Sequence, residues 1–242
     1  MQKKHLASLV ALMGLGMAAQ AQPFSQTYFI GDSLSDSGQF GARFTTNPGQ
    51  VWAQVLANRL GTSAQPSSQG GSNYAVGGAR VGTDGSTTVG GTTVAIPSMV
   101  TQSQQLRAQQ GGRLDSNALY TVWGGANDLF AVMAGADAQT TIGSAIVNQV
   151  TTVSGLAQNG ANYILVPNIP DLGMTPAFAA NQAAGSQLSA AYNQALYDNL
   201  AKTRANVIPL NVAALLSEAA QNSNSYGFKN VTMPACGAVS SL

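Results

Sequence analysis

The chain has 242 residues, of which 45% are hydrophobic and only 8% charged, with a formal net charge of +1. That is enough apolar side chain for one α/β domain of ordinary size, and it offers no basic patch to hold nucleic acid. Gly, Ala, Ser, Thr, Asn and Gln must fill the surface instead, a balance that suits an extracytoplasmic protein.

The first residues read as a processing signal. Lys3, Lys4 and His5 form a positive start, Leu6 to Ala18 is apolar but too short to span a bilayer, and Ala19-Gln20-Ala21 is an A-x-A-like cleavage site. Cleavage after Ala21 and export across the inner membrane are expected, the alternatives being an uncleaved anchor or a buried helix. Cleavage removes Lys3 and Lys4, so the mature chain should be slightly acidic. It also removes His5, the only histidine. Cys236 stands alone near the other end; in an oxidising compartment an odd cysteine suggests a missing partner, against a buried, inert thiol.

Thr27-Tyr28-Phe29-Ile30 is short, apolar and β-leaning, and it runs into Gly31-Asp32-Ser33-Leu34-Ser35-Asp36-Ser37-Gly38, a polar turn. This reads as a buried strand ending in a loop. In an open α/β sheet, functional groups gather at such carboxyl ends, which singles out Ser33 with Asp32 and Asp36 beside it. The plainer reading is an ordinary turn, since Gly, Asp and Ser all favour turns.

Val51 to Leu60 has helical spacing and stops at Gly61. Val51, Val55, Leu56 and Leu60 should pack on the sheet, and Trp52 is assigned to the core rather than to a pocket wall. Gln69 to Ala79 contains a short strand between glycines, with Gly77-Gly78 allowing close backbone approach. Gly82 to Gly91 reads as an exposed loop, with covering the site as one role open to it. Pro97 to Gln110 reads as a helix whose Gln side chains face water. Ala118 to Trp123 is a buried strand leading to Gly124-Gly125-Ala126-Asn127-Asp128, where an Asx-turn capping the next helix is the structural alternative.

Thr140 to Asn159 is a helix with an Ile142, Ile146, Val150, Val153 stripe. Asn162 to Ile169 is a strand, and Pro170-Asp171-Leu172-Gly173-Met174-Thr175-Pro176 a loop. Ser186 to Thr203 is an amphipathic helix burying Leu188, Tyr192, Leu196 and Leu200. Asn206 to Asn211 is the last strand and Val212 to Ala220 a further helix. This alternation predicts a three-layer α/β/α sandwich around a mostly parallel five-stranded sheet, with no domain boundary, repeat or transmembrane span after the signal.

Four segments in order carry a family resemblance. Gly31-Asp32-Ser33-Leu34-Ser35-Asp36-Ser37-Gly38 resembles the extended motif of the GDSL (SGNH) esterase/lipase family. Asn73-Tyr74-Ala75-Val76-Gly77-Gly78-Ala79 resembles that family's second block, Gly125-Ala126-Asn127-Asp128 its third, and Pro170 to Pro176 a further shared segment. The resemblance covers about Thr27 to Cys236 and is nearest to the passenger domains of autotransporter esterases. It implies an SGNH-hydrolase domain over residues 22–242 that hydrolyses carboxylic esters without metal or cofactor. Ser33 would be the nucleophile. The oxyanion donors would be the Ser33 N–H, the Gly78 N–H (with Gly77 the second choice) and the Asn127 side-chain amide, supported by Asp32, Gly77 and Asp128. The Gly-x-Ser-x-Gly elbow of α/β-hydrolases is absent, since Ser35 stands where its second Gly would be.

The family's base is a histidine in a late Asp-x-x-His block, and no such block occurs in this sequence. Neither Asp36 nor Asp171 is promoted to that role. Phe228 to Gly237 resembles the segment that precedes the catalytic Asp and His in relatives, usually with a second cysteine soon after. The expectation is a C-terminally incomplete family member, inactive or nearly so as it stands. A carbohydrate acetylesterase and a non-catalytic binding relative are the alternatives. The expected partner is a small-molecule or lipid ester, with outer-membrane anchoring only if a barrel follows.

Overall fold

The computed structural model describes residues 23–45 and 49–234; the segment read as an export signal, His5 and Cys236 lie outside the described residues. The elements run β1 (Thr27–Gly31), α1 (Trp52–Arg59), β2 (Gly85–Val89), β3 (Thr92–Ile96), α2 (Met99–Gln109), β4 (Leu119–Trp123), α3 (Ala126–Met133), α4 (Ala138–Gln158), β5 (Tyr163–Pro167), α5 (Gln182–Leu200), β6 (Val207–Leu210) and α6 (Val212–Gln221).

Four strands form a parallel sheet in the order β1-β4-β5-β6. Strand β1 alternates across it. Ile30 joins a large core with Val122, Ile164, Val166, Leu156 and Leu196, under α2, α4 and α5. Phe29 joins a smaller core on the other face with Val51, Ala53, Ala57 and Ala64, under α1. This period-two division of side chains produces the three layers.

The fifth member of the expected sheet, the short strand within Gln69 to Ala79, forms only in part. Residues 72–76 run beside β1, with Phe29 N–H bonded to Ser72 C=O at 3.1 Å, Tyr74 N–H to Phe29 C=O at 2.8 Å and Val76 N–H to Gly31 C=O at 3.2 Å. The pairing reduces to a bridge at Asn73 and does not extend into a strand.

Three further expectations are corrected. Residues 82–91 are not simply a loop: β2 and β3 make an exposed antiparallel hairpin through Gly90-Gly91, because β-branched Thr, Val and Ile fill both arms of a tight glycine turn. Helix α1 packs through Val51, Ala53 and Ala57, while Val55 is exposed. The small side chains let the helix sit close, so the buried face turns away from Val55. In α2, Gln102 does not face water but is fully buried, on the stripe it shares with Met99 and Leu106.

Helix ends follow local chemistry. Ser98 accepts from Thr101 N–H at the start of α2, and Asp137 from Thr140 N–H at 2.8 Å at the start of α4. Each satisfies one of the N–H groups that a first helical turn leaves without a partner.

Candidate active site

Strands β1 and β4 are parallel and in register, with Gly31 opposite Trp123. The residues just past their ends therefore emerge at the same edge of the sheet. Ser33 lies two residues beyond Gly31, and Asn127 four beyond Trp123, in the first turn of α3. The two line one cleft of about 530 Å³, together with Asp32, Leu34, Ala126, Phe130, Pro170, Leu172, Thr175, Pro176, Ala177 and Pro234. Apart from Asp32, Ser33, Asn127 and Thr175, these walls are apolar.

The loop bearing Ser33 is wound tightly. Ser35 and Asp36 N–H groups both bond to the Asp32 C=O at 3.0 Å, and the Asp32 carboxylate accepts from Leu34 N–H at 3.0 Å. Asn73, buried beside β1, donates to the Ser35 C=O at 2.7 Å. Trp52 donates its indole N–H to the Ser35 hydroxyl at 3.1 Å and packs edge-on against Phe29 and Trp123. It thus serves both the core and the loop's underside.

Asp36 accepts three backbone N–H groups, from Gly38 at 2.8 Å, Gln39 at 2.9 Å and Gly77 at 2.8 Å. The Gly77 N–H is therefore committed inward. Gly78, at φ +81°, is exposed, and its N–H has no hydrogen-bond partner among the described residues. A Cβ there would come within 3.3 Å of Ile96 in the hairpin, besides adopting a backbone that side chains rarely take.

Gly78 does not line the cleft, but Asn127 connects to its neighbour. The Asn127 amide donates to the Ala79 C=O at 2.9 Å, which leaves its second amide hydrogen to point elsewhere. Gly125, at φ +113°, lets the chain turn from β4 into α3; a Cβ there would lie 2.4 Å from the Tyr192 ring packed beneath.

Asp128 is buried and points away from the cleft. It accepts from Val81 N–H at 3.0 Å and pairs with Arg80 at 3.1 Å. Burial nevertheless pushes its carboxyl above the usual range, against the pull of the Val81 N–H and Arg80. Burial also pushes Asp32 up to about 7, with the nearby Asp128 charge adding to the rise and the Leu34 N–H opposing it. Burial raises Asp36 too, despite its three N–H donors.

Ser33, Asp32 and Asn127 thus meet in one cleft. Gly78 sits next to it through Ala79, while Gly77 bonds to Asp36 and Asp128 to Val81 and Arg80. Asp171 is occupied structurally, accepting from Gly173 N–H at 2.9 Å and the Ser186 hydroxyl at 3.0 Å. Sequence reading missed Phe130, whose place three residues after Asn127 on one helix face was the available signal. It also missed Gln102, which the Met99–Leu106 spacing could have placed inside.

Residues 28–241 match the family model described as GDSL-like lipase/acylhydrolase. The chain is 35% identical to esterase EstA of Pseudomonas aeruginosa over 94% of its own length and 42% of that protein. It is 36% identical to an uncharacterized protein in the trpE-trpG intergenic region of Pseudomonas putida, over 92% of this chain and 41% of that one. Lipase 1 of Photorhabdus luminescens is 32% identical over 68% of this chain and 25% of that protein. The chain spans about two fifths of the length of the first two of these relatives. A match this long, over a parallel sheet that presents Ser33 and Asn127 at one edge, places the chain in the GDSL-like lipase/acylhydrolase family.

Proposed function

We propose that this chain is the ester-hydrolysing domain of an exported serine esterase, with Ser33 as the nucleophile. The observation that carries the reading is the shared cleft: Ser33 and Asn127, from adjacent parallel strands, border one largely apolar cavity. The Ser33 Oγ attacks the ester carbonyl and gives its proton to a base. The Ser33 N–H, the Gly78 N–H and the free amide hydrogen of Asn127 receive the oxyanion. The intermediate collapses, the alcohol leaves, and water then releases the acid from the acyl-serine. Asp32 is held partly protonated near neutral pH by its burial, so it sets less than a full negative charge beside the developing oxyanion.

The apolar walls favour an acyl chain longer than acetyl, which sets the carbohydrate acetylesterase reading behind that of a lipase-like esterase. No histidine lies among residues 23–234. The reading therefore assigns the proton acceptor to chain outside them, as a histidine with its acidic partner downstream of Leu242. Export after cleavage near Ala21, and membrane anchoring by a downstream barrel, belong to the same proposal.

The experiment compares purified residues 22–242 with the product of the whole coding region on p-nitrophenyl esters. Turnover by the longer protein alone, abolished by Ser33→Ala, is the expected result. Turnover indifferent to Ser33→Ala in both would sink the assignment. Equal Ser33-dependent turnover by both would put the base inside residues 22–242.

A further inference from the structure

Gln102 is fully buried in the middle of α2, and its side-chain amide faces the last residue of β1. Its Oε1 accepts from the Gly31 N–H at 2.9 Å. Its Nε2 donates to the Gly31 C=O at 2.9 Å and to the Pro97 C=O at 3.0 Å. Both amide hydrogens are thereby used.

The position explains why the fifth strand fails. In a parallel ladder, a residue donates to the partner before its neighbour and accepts from the partner after it. Phe29 does so with Ser72 and Tyr74. Two residues on, Gly31 still accepts from Val76 N–H at 3.2 Å, but its N–H goes to Gln102 where the ladder would offer the Tyr74 C=O. The side chain stands in for a strand and ends the pairing. Beyond this point the two segments carry Ser33 and Gly78, each two residues past a bonded partner: Ser33 past Gly31, Gly78 past Val76.

We propose that Gln102 is a positioning residue that sets the separation between the nucleophile loop and the Gly77-Gly78 segment. The proposal rests on the esterase reading for its effect on turnover, but the clamp itself does not. Removing the amide leaves the buried Gly31 N–H without its acceptor, which loosens the Gly31–Val76 pairing and shifts the Gly78 N–H relative to the Ser33 Oγ. Displacements of an ångström cost about 100-fold in rate.

The test uses the product of the whole coding region carrying Gln102→Met, similar in length but without hydrogen bonds, or Gln102→Glu, which keeps the acceptor. Ionised, the Glu side chain cannot donate to the Gly31 C=O; protonated, it regains one donor. The Met variant is expected to lose about 10–100-fold in kcat with KM little changed, at temperatures where its unfolding curve shows it folded. For the Glu variant, kcat relative to wild type should rise as pH falls. Amide hydrogen exchange at Gly31 and Val76 should accelerate in the Met variant. A folded Met variant with kcat near wild type overturns the proposal, as does a Glu variant whose relative kcat is flat with pH. If the wild type shows no Ser33-dependent turnover, the esterase reading fails instead. Exchange then decides the clamp alone: faster exchange at Gly31 supports it, unchanged exchange overturns it.

Discussion

The Asp36 carboxylate holds the Gly77 N–H at 2.8 Å, joining two loops 41 residues apart. This bond selects between two neighbouring glycines. With its N–H turned in to Asp36, Gly77 has none to offer a substrate, while the exposed Gly78 keeps one without a partner among the described residues. Asp36→Ala leaves the N–H groups of Gly38, Gln39 and Gly77 without their acceptor. Destabilisation of about 3 kcal/mol is expected, read as a lower urea midpoint, with kcat falling because the Gly78 segment is released. Asp36→Asn retains one acceptor oxygen and should be milder in both. An unchanged midpoint in Asp36→Ala would show that the loops are held together by packing alone.

Asn127 is expected to act on the transition state rather than on binding. One amide hydrogen is spent on the Ala79 C=O at 2.9 Å, which fixes the direction of the other. Asn127→Ala should lower kcat by about 10²–10³, or ~3 kcal/mol, with KM close to wild type. The Ala79 carbonyl also loses its donor, so unfolding should be monitored in parallel. A large rise in KM at constant kcat would move Asn127 from oxyanion donor to ordinary substrate contact.

The raised Asp32 carboxyl makes stability depend on pH in a definite direction. Its folded pKa of about 7 lies above the ordinary carboxylate value of 3.8. Between those values the folded state binds a proton that the unfolded state has released, so this group's contribution to stability falls as pH rises across the window. Above about pH 7 the folded state carries the full cost of a buried charge. Asp32→Asn keeps an oxygen for the Leu34 N–H and removes that charge. The variant should gain on wild type progressively from pH 4 to pH 8, by roughly 2–4 kcal/mol at the top of the range. Chemical denaturation at several pH values measures the difference. A gap that stays constant with pH would mean that Asp32 ionises as freely in the fold as out of it.

Much of this arrangement was legible in the sequence, for identifiable reasons. Strands β1 and β4 are short runs of apolar and aromatic residues followed by glycine, so period, burial and stop signal agree. The same agreement brought Ser33 and Asn127 to one edge of the sheet. The partial fifth strand was not legible, because what ends it is a side chain from α2 that occupies a ladder position. Composition marked Gln102 as a surface residue, and only its place between Met99 and Leu106 argued otherwise. The division of labour between Gly77 and Gly78 was also hidden. It depends on a carboxylate 41 residues earlier, a distance over which local pattern carries no information. Val55 went the other way: its hydrophobicity suggested core, but alanines on α1 took the inward face.

The substrate's acyl side should be set by Phe130. This ring sits one turn after Asn127 in α3, remains 41% exposed, and lines the cleft together with Pro170, Thr175 and Pro176. Behind it the buried Phe178 ring lies 5.4 Å away, tilted by 34°. Aromatic pairs at this distance hold each other by roughly 0.5–1.5 kcal/mol beyond area burial, so Phe130 has a defined position although it faces solvent. A ring fixed there offers apolar surface to an acyl chain and also limits how far the chain can run. Phe130→Ala should lower kcat/KM for short p-nitrophenyl esters by about tenfold, the scale of one or two lost methylene contacts. Longer esters should lose less or gain, which moves the optimum to longer chains. Stability should fall little, since the ring is only partly buried. A uniform loss across chain lengths would place the acyl group elsewhere, and the cleft would then hold the alcohol side of the ester.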